Sequence, residues 1–138
     1  MALPERGQEL PVLRTEPVER IDLVRYAGAS GDYNPIHTVE SFAREAGLGD
    51  VIAHGMLSMA YVGRMLTDFM GDEAELEEFT VRFRAMVRPG DVLECHGQVT
   101  DVAAGQGAPV VKVQVRAVNQ SGETVVKGSA QLRYAPID

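Results

Sequence analysis

An aspartate and a histidine stand five residues apart at Asp32 and His37, with Asn34 and Pro35 between them, in an otherwise apolar half of the chain. A carboxylate titrates near ~4 and an imidazole near ~6.5, so at neutral pH one group can accept a proton while the other exchanges one. A water shared by the two becomes a nucleophile. Pro35 disfavours helical backbone at Asn34, so an extended loop or turn is expected, and helical phasing does not decide whether the side chains meet. A plainer reading stays open beside the chemical one. Asp, Asn and Pro are common turn formers, and Asp32 can serve only to cap a backbone N–H.

His54 and Gly55 come immediately before an expected helix, whose first N–H groups are free to meet a developing negative charge, which makes Gly55 a candidate oxyanion donor. Glycine there can equally let the helix begin where a side chain would clash. For His54, a packed, hydrogen-bonded place is weighed against proton transfer. Asp32, His37 and His54 also make up a two-histidine, one-carboxylate set of the kind that suits non-haem iron. Cys95 and His96 form another suggestive pair. Adjacent side chains in a strand point to opposite faces, so these two do not meet, and Cys95 reads as a core residue.

The elements that position these groups divide the chain into unlike halves. From Glu19 to Met70 the apolar spacing is helical: Ile21, Val24 and Ala27 recur at steps of three, and Met56, Met59, Val62, Leu66 and Met70 at three or four. A short helix is expected between them, from Thr38 as N-cap to Gly47 as C-terminal glycine. From Phe79 the period becomes two, with Val81, Phe83, Ala85 and Val87 alternating against Arg82, Arg84, Met86 and Arg88. The alternation recurs through Leu93–Val99, Val111–Ala117 and Val126–Leu132, with turns at 89–91, 103–109 and 119–122. Four such strands make an antiparallel sheet with one apolar face, and the nearly all-apolar segment 55–70 is the helix to cover it. Its methionines are read as core filler. A sheet edge left over is commonly protected by a second copy, so a homodimer is expected. The first nine residues are read as a frayed start.

The 138 residues fit one domain, 1–138, and the apolar share of 45% and charged share of 24% are ordinary for a globular core. Thirteen Lys and Arg against twenty Asp and Glu leave a formal net charge of -7, which repels a nucleic-acid backbone. No apolar run approaches the ~20 residues of a membrane span. A soluble, cytoplasmic protein is expected, and one cysteine excludes an internal disulfide.

The segments YAGASGDYNPIH and, after a spacer, IAHGM resemble the hydratase motif of the MaoC-like family, which includes (R)-specific enoyl-CoA hydratases and (3R)-hydroxyacyl-ACP dehydratases. LVRYAGASGDYNPIH, IAHGMLSMAYVG and EFTVRFRAMVRPGD follow the family's order, so the resemblance covers most of the chain, and it is closest to the B-type subunit of the mycobacterial dehydratase. The resemblance implies an α+β hot dog fold, in which an antiparallel sheet wraps a long central helix and two units pair. It implies reversible hydration of trans-2-enoyl thioesters to (3R)-hydroxyacyl thioesters. Asp32 and His37 then activate the water that adds to C3 and manage the proton at C2, and the Gly55 N–H holds the thioester oxygen. Ser30, Tyr33, Asn34, His54, Met56 and Arg84 are assigned to substrate binding. No metal or redox cofactor is implied, because the CoA or ACP carrier is part of the substrate.

One departure is Gly63, where some (R)-hydratases carry a serine eight residues beyond the oxyanion glycine. Chain-length preference is therefore not carried over. Arg82, Arg84 and Arg88 form one cationic strand face, suited either to carrier phosphates or to balancing the acidic run 72–78. Two alternatives stay open: a subunit of a heterodimeric dehydratase that needs a partner chain, and an acyl-CoA thioesterase on the same fold.

Overall fold

The computed structural model describes residues 2–104 and 107–136. The expected turn at 103–109 includes Gly105 and Gln106, which lie outside them. Period-two alternation becomes β2 (Ala74–Phe83), β3 (Glu94–Ala103), β4 (Val110–Val118) and β5 (Thr124–Tyr134). With the two-residue β1 (Leu13–Arg14), they form one antiparallel sheet in the order β1-β3-β4-β5-β2.

The inward row of each strand is apolar because alternate side chains share a face. Cys95 and Val99 of β3, Val111, Val113, Val115 and Ala117 of β4, and Val126, Ala130 and Leu132 of β5 are all buried. Against that face lies α3 (Gly55–Met70), 16 residues and about 24 Å long, which buries Val62, Met65, Leu66 and Met70. Each such side chain contributes about 1.5–3 kcal/mol relative to exposure, so the α3–sheet layer is the main store of stability. This is the hot dog arrangement. Burial also pushes the Cys95 thiol up to about 12, the behaviour of an inert core cysteine.

Several expectations are corrected. The strand expected from Phe79 to Val87 begins earlier, at Ala74, carries a bulge between Leu76 and Glu78, and ends at Phe83. Beyond Phe83, the Arg84 N–H still reaches the Val125 carbonyl (2.8 Å), but the Val87 carbonyl accepts from Ala53 N–H (2.8 Å). The chain has left β5 to brace the segment ahead of α3. Arg82, Arg84 and Arg88 therefore share no strand face: Arg82 pairs across from Lys127, and the Arg88 guanidinium donates to the Leu48 carbonyl at 2.7 Å.

The N-terminal residues are not frayed from Gly7 onward. Gly7 N–H donates to the Val99 carbonyl, Leu10 N–H to Gly97, and Leu10 is buried. In α1 (Arg20–Ser30) the buried stripe is Leu23 and Ala27, while Ile21 and Val24 stay exposed. The short helix α2 is Glu40–Glu45 with Val39, not Thr38, as N-cap, and Gly47 adopts the left-handed conformation just past its end. Met56, expected in the core stripe, is 55% exposed at the start of α3.

Candidate active site

The polar loop is held by its own side chains. Gly31 ends α1 in the left-handed conformation (φ 74°), which glycine adopts without steric cost, and turns the chain toward Asp32. Ser30 donates its hydroxyl to the Tyr26 carbonyl (2.7 Å) and accepts from Asp32 N–H (3.1 Å). Asn34 caps a single 3-10 turn, Pro35–His37, by accepting from Ile36 N–H at 3.2 Å, and Pro35 sits where a first-turn N–H would be idle anyway.

Asp32 caps a backbone N–H, the plainer of its two readings, and also stands near His37. One carboxylate oxygen, Oδ1, accepts from Asn34 N–H (3.2 Å), and the other, Oδ2, faces His37 Nε2 at 3.8 Å. That separation is beyond a direct hydrogen bond, yet both groups can lie ~2.8 Å from one water oxygen. The two differ in surroundings. The Asp32 side chain is 52% exposed, whereas that of His37 is 9% exposed.

His37 Nδ1 lies 2.7 Å from the Ile52 carbonyl. A carbonyl only accepts, so Nδ1 carries the proton and the lone pair of neutral His37 is on Nε2, facing Asp32. Beneath it lies His54, 2% exposed, its ring stacked on that of His37 with centroids 3.7 Å apart and planes 22° apart. Tyr26 packs edge-on against His54 at 4.9 Å. Desolvation by burial holds His54 below the ordinary imidazole value.

α3 starts one residue later. Leu57 and Ser58 N–H donate to the His54 carbonyl, but among the described residues Gly55 and Met56 N–H have no acceptor. Two free donors at the positive end of a 16-residue helix favour negative charge. A Cβ on Gly55 would come within 3.1 Å of the Phe83 ring, so glycine is also what allows that ring to cover the helix start. The steric reading of Gly55 is met by this approach of Phe83, and the free N–H groups leave the oxyanion reading open.

The structure thus brings Asp32, Asn34, His37, His54 and Gly55 into one neighbourhood, with Tyr33 (71% exposed) and Met56 on its rim. Ser30 belongs to the loop scaffold through both hydroxyl bonds. Arg84 is exposed just past β2, beside Arg82. Three contributors escaped sequence reasoning: the Ile52 carbonyl, Tyr26 and Phe83. Tyr26 stood at the head of the quoted motif without an assigned role, and Phe83 was read as an inward residue of a longer strand. Over Gly63 lies the Phe79 ring, 3.4 Å from where a Cβ would be.

Asp32, His37 and His54 each bring a potential metal ligand within 4.8 Å of the others. A metal ion lies in the plane of each imidazole it binds, ~2.0–2.1 Å from nitrogen, and two nearly parallel rings stacked face to face share no such point. Two of their four nitrogens are also taken by main-chain carbonyls. The stacked rings do not suit one ion bound by both histidines.

The MaoC like domain profile matches residues 4–121. The chain is 28% identical over 127 residues to the (R)-specific enoyl-CoA hydratase of Rhodospirillum rubrum, covering 91% of this chain and 85% of that protein. It is 38% identical over 111 residues, 78% of its length, to a fatty acid synthase beta subunit of Dothistroma septosporum, of which it spans 6%. It spans a similarly small share, 5–6%, of such subunits from Aspergillus oryzae and Cochliobolus carbonum. An unliganded R-hydratase from Pseudomonas aeruginosa superposes with a TM-score of 0.86 at 29% identity, over 97% of this chain and 84% of that one. With the profile spanning most of the chain and the motif's polar groups gathered beside α3, the chain belongs to the MaoC-like hydratase and dehydratase family.

Proposed function

We propose that this chain catalyses reversible hydration of trans-2-enoyl thioesters to (3R)-hydroxyacyl thioesters. The observation that carries the reading is the pairing of the Asp32 carboxylate with the buried, tautomer-fixed His37 Nε2 at 3.8 Å, beside the unpaired N–H groups of α3. Asp32 and His37 hold the water and take one of its protons as its oxygen bonds to C3. The π pair moves from C2=C3 toward the thioester oxygen, and the pair then returns a proton to C2. Charge on that oxygen exists mainly in the transition state, so the Gly55 N–H at the helix start stabilises the transition state selectively. Asn34 orients the loop, Tyr33 and Met56 offer apolar rim to the acyl-pantetheine arm, and Arg84 is placed to meet a carrier phosphate.

The thioester carrier, CoA or ACP, is substrate, and the reaction uses no metal or redox cofactor. A chelator should leave the rate unchanged. Dimerisation also belongs to this reading: the open β2 edge and the exposed Tyr33, Met56 and Phe83 suit pairing with a second copy. The same open side supports a second reading, a subunit that needs a related partner chain.

The test is loss of enoyl absorbance when crotonyl-CoA meets the purified chain, beside folded Asp32→Asn and His37→Ala variants. Each variant should lose about 10²- to 10⁴-fold in rate. Full activity in either would remove the pair from the mechanism. No hydration by a folded dimer on short or long enoyl thioesters would favour the partner-dependent subunit, and release of free thiol would favour a thioesterase.

A further inference from the structure

His54 lies at the centre of the site yet presents no polar atom to a substrate. Its Nε2 is 3.1 Å from the main-chain carbonyl of Asp32. A carbonyl only accepts, so Nε2 carries a proton. Its Nδ1 is buried and has no hydrogen-bond partner. A proton there would create a buried cation without a partner, stacked against His37. Nδ1 is therefore a bare lone pair sealed from solvent. Such an unfilled buried acceptor is uncommon enough to require a compensating role for the ring.

We infer that His54 is a positioning residue for the Asp32–His37 pair: held in the Nε2–H tautomer, it anchors the Asp32 main chain and forms the uncharged floor on which the His37 ring lies. Two main-chain carbonyls thus impose opposite tautomers on two stacked rings. Ile52 fixes His37 with its lone pair on Nε2, and Asp32 fixes His54 with its lone pair on Nδ1. Only the first lone pair faces the carboxylate. The loop is tied at residue 32 from both sides, through its carbonyl to His54 and through Oδ1 to Asn34 N–H, which limits how far Oδ2 can move from His37. Tyr26 from α1 packs edge-on against the His54 ring. The catalytic part of this inference rests on the proposed hydration, while the tautomer and the support of His37 do not.

Two variants separate the contributions. His54→Gln keeps an N–H donor near the Nε2 position without the ring, and His54→Phe keeps a stacked ring without the donor. A misplacement of about 1 Å can cost on the order of 10²-fold in rate, so His54→Phe should lower kcat about 10- to 100-fold with KM within about twofold. It should also shift the pH profile of kcat, and His54→Gln should recover most of the loss. A direct measurement uses the imidazole ¹⁵N signals of the unaltered chain. The expected pattern is protonated Nε2 and bare Nδ1 on His54 and the reverse on His37. A His54 signal of the Nδ1–H or charged form would overturn the proposal, as would a folded His54→Phe variant that keeps its kcat or changes KM alone. If the unaltered chain hydrates no enoyl thioester, the functional reading fails separately. The ¹⁵N tautomer pattern of the two rings, in the unaltered chain and of His37 in His54→Phe, then still decides the positioning role.

Discussion

The sheet is finished along one edge by the chain's own N-terminal residues and left open along the other, and the polar site lies toward the open side. Beside β3, Gly7 and Leu10 donate to Val99 and Gly97, Gln8 accepts from Val99 N–H, and β1 pairs with Glu94 and Cys95. Beside β2, no strand pairs among the described residues. At the end of β2, Phe83 covers the start of α3, where Gly55 and Met56 keep free N–H groups. The closed edge buries Leu10 and serves stability. The open edge leaves apolar rings and a half-exposed carboxylate in solvent, the surface that the proposed pairing with a second copy would cover.

The largest expected break comes where β2 rests on β5. A Cβ on Gly128 would lie 2.0 Å from the Thr80 carbonyl oxygen and 2.8 Å from Val81 Cα, and these backbone atoms move only if β2 moves. Gly128→Ala should cost about 3 kcal/mol in urea unfolding, the upper part of the usual overpacking range, and disturb both assembly and activity. Unchanged stability would mean that β2 is not held by this close backbone approach. At the finished edge, Leu10→Ala removes a side chain packed over Gly97 and should cost about 2–3 kcal/mol while leaving the assembly state as it was. If it also changed the assembly state, the two edges would not be independent.

The same contrast explains what was legible in the sequence. Strands β3, β4 and β5 were readable because each has an apolar row against the core, and α3 because its apolar run is bounded by Gly55 and Gly71. The edges were harder, since an edge strand obeys its neighbours as much as its own pattern. β2 carries Glu75, Glu77 and Glu78 and looks like a solvated acidic run, whereas Ala85 and Val87 keep the alternation after the chain has left the sheet. The N-terminal pairing uses main-chain bonds, which leave little trace in residue type. In the site, Asp32, His37 and Gly55 could be picked out by chemistry and spacing. The Ile52 carbonyl could not be, because any residue supplies one, and His54's contact with Asp32 O joins positions 22 apart.

Hydrogen exchange compares the edges directly. If a second copy pairs with β2, its outward amides should exchange more slowly as protein concentration rises, while β3 amides covered by the N-terminal residues should not respond. Concentration-independent exchange in β2 would argue that this edge stays free in solution.

The smallest effect expected is a pH dependence of stability that belongs to the site rather than to either edge. Burial lowers the folded-state value of His54 below the ~6.5 of an unfolded imidazole. As pH falls, the unfolded chain therefore takes up that proton first, so stability contributed by neutral His54 is complete above the unfolded value and is lost as pH falls through and below it. The urea midpoint of the unaltered chain should drop between neutral and mildly acid pH, and it should drop less in His54→Gln, which has nothing to protonate there. Equal slopes would mean that His54 is as easily protonated folded as unfolded, and the neutral floor beneath His37 would be lost with it.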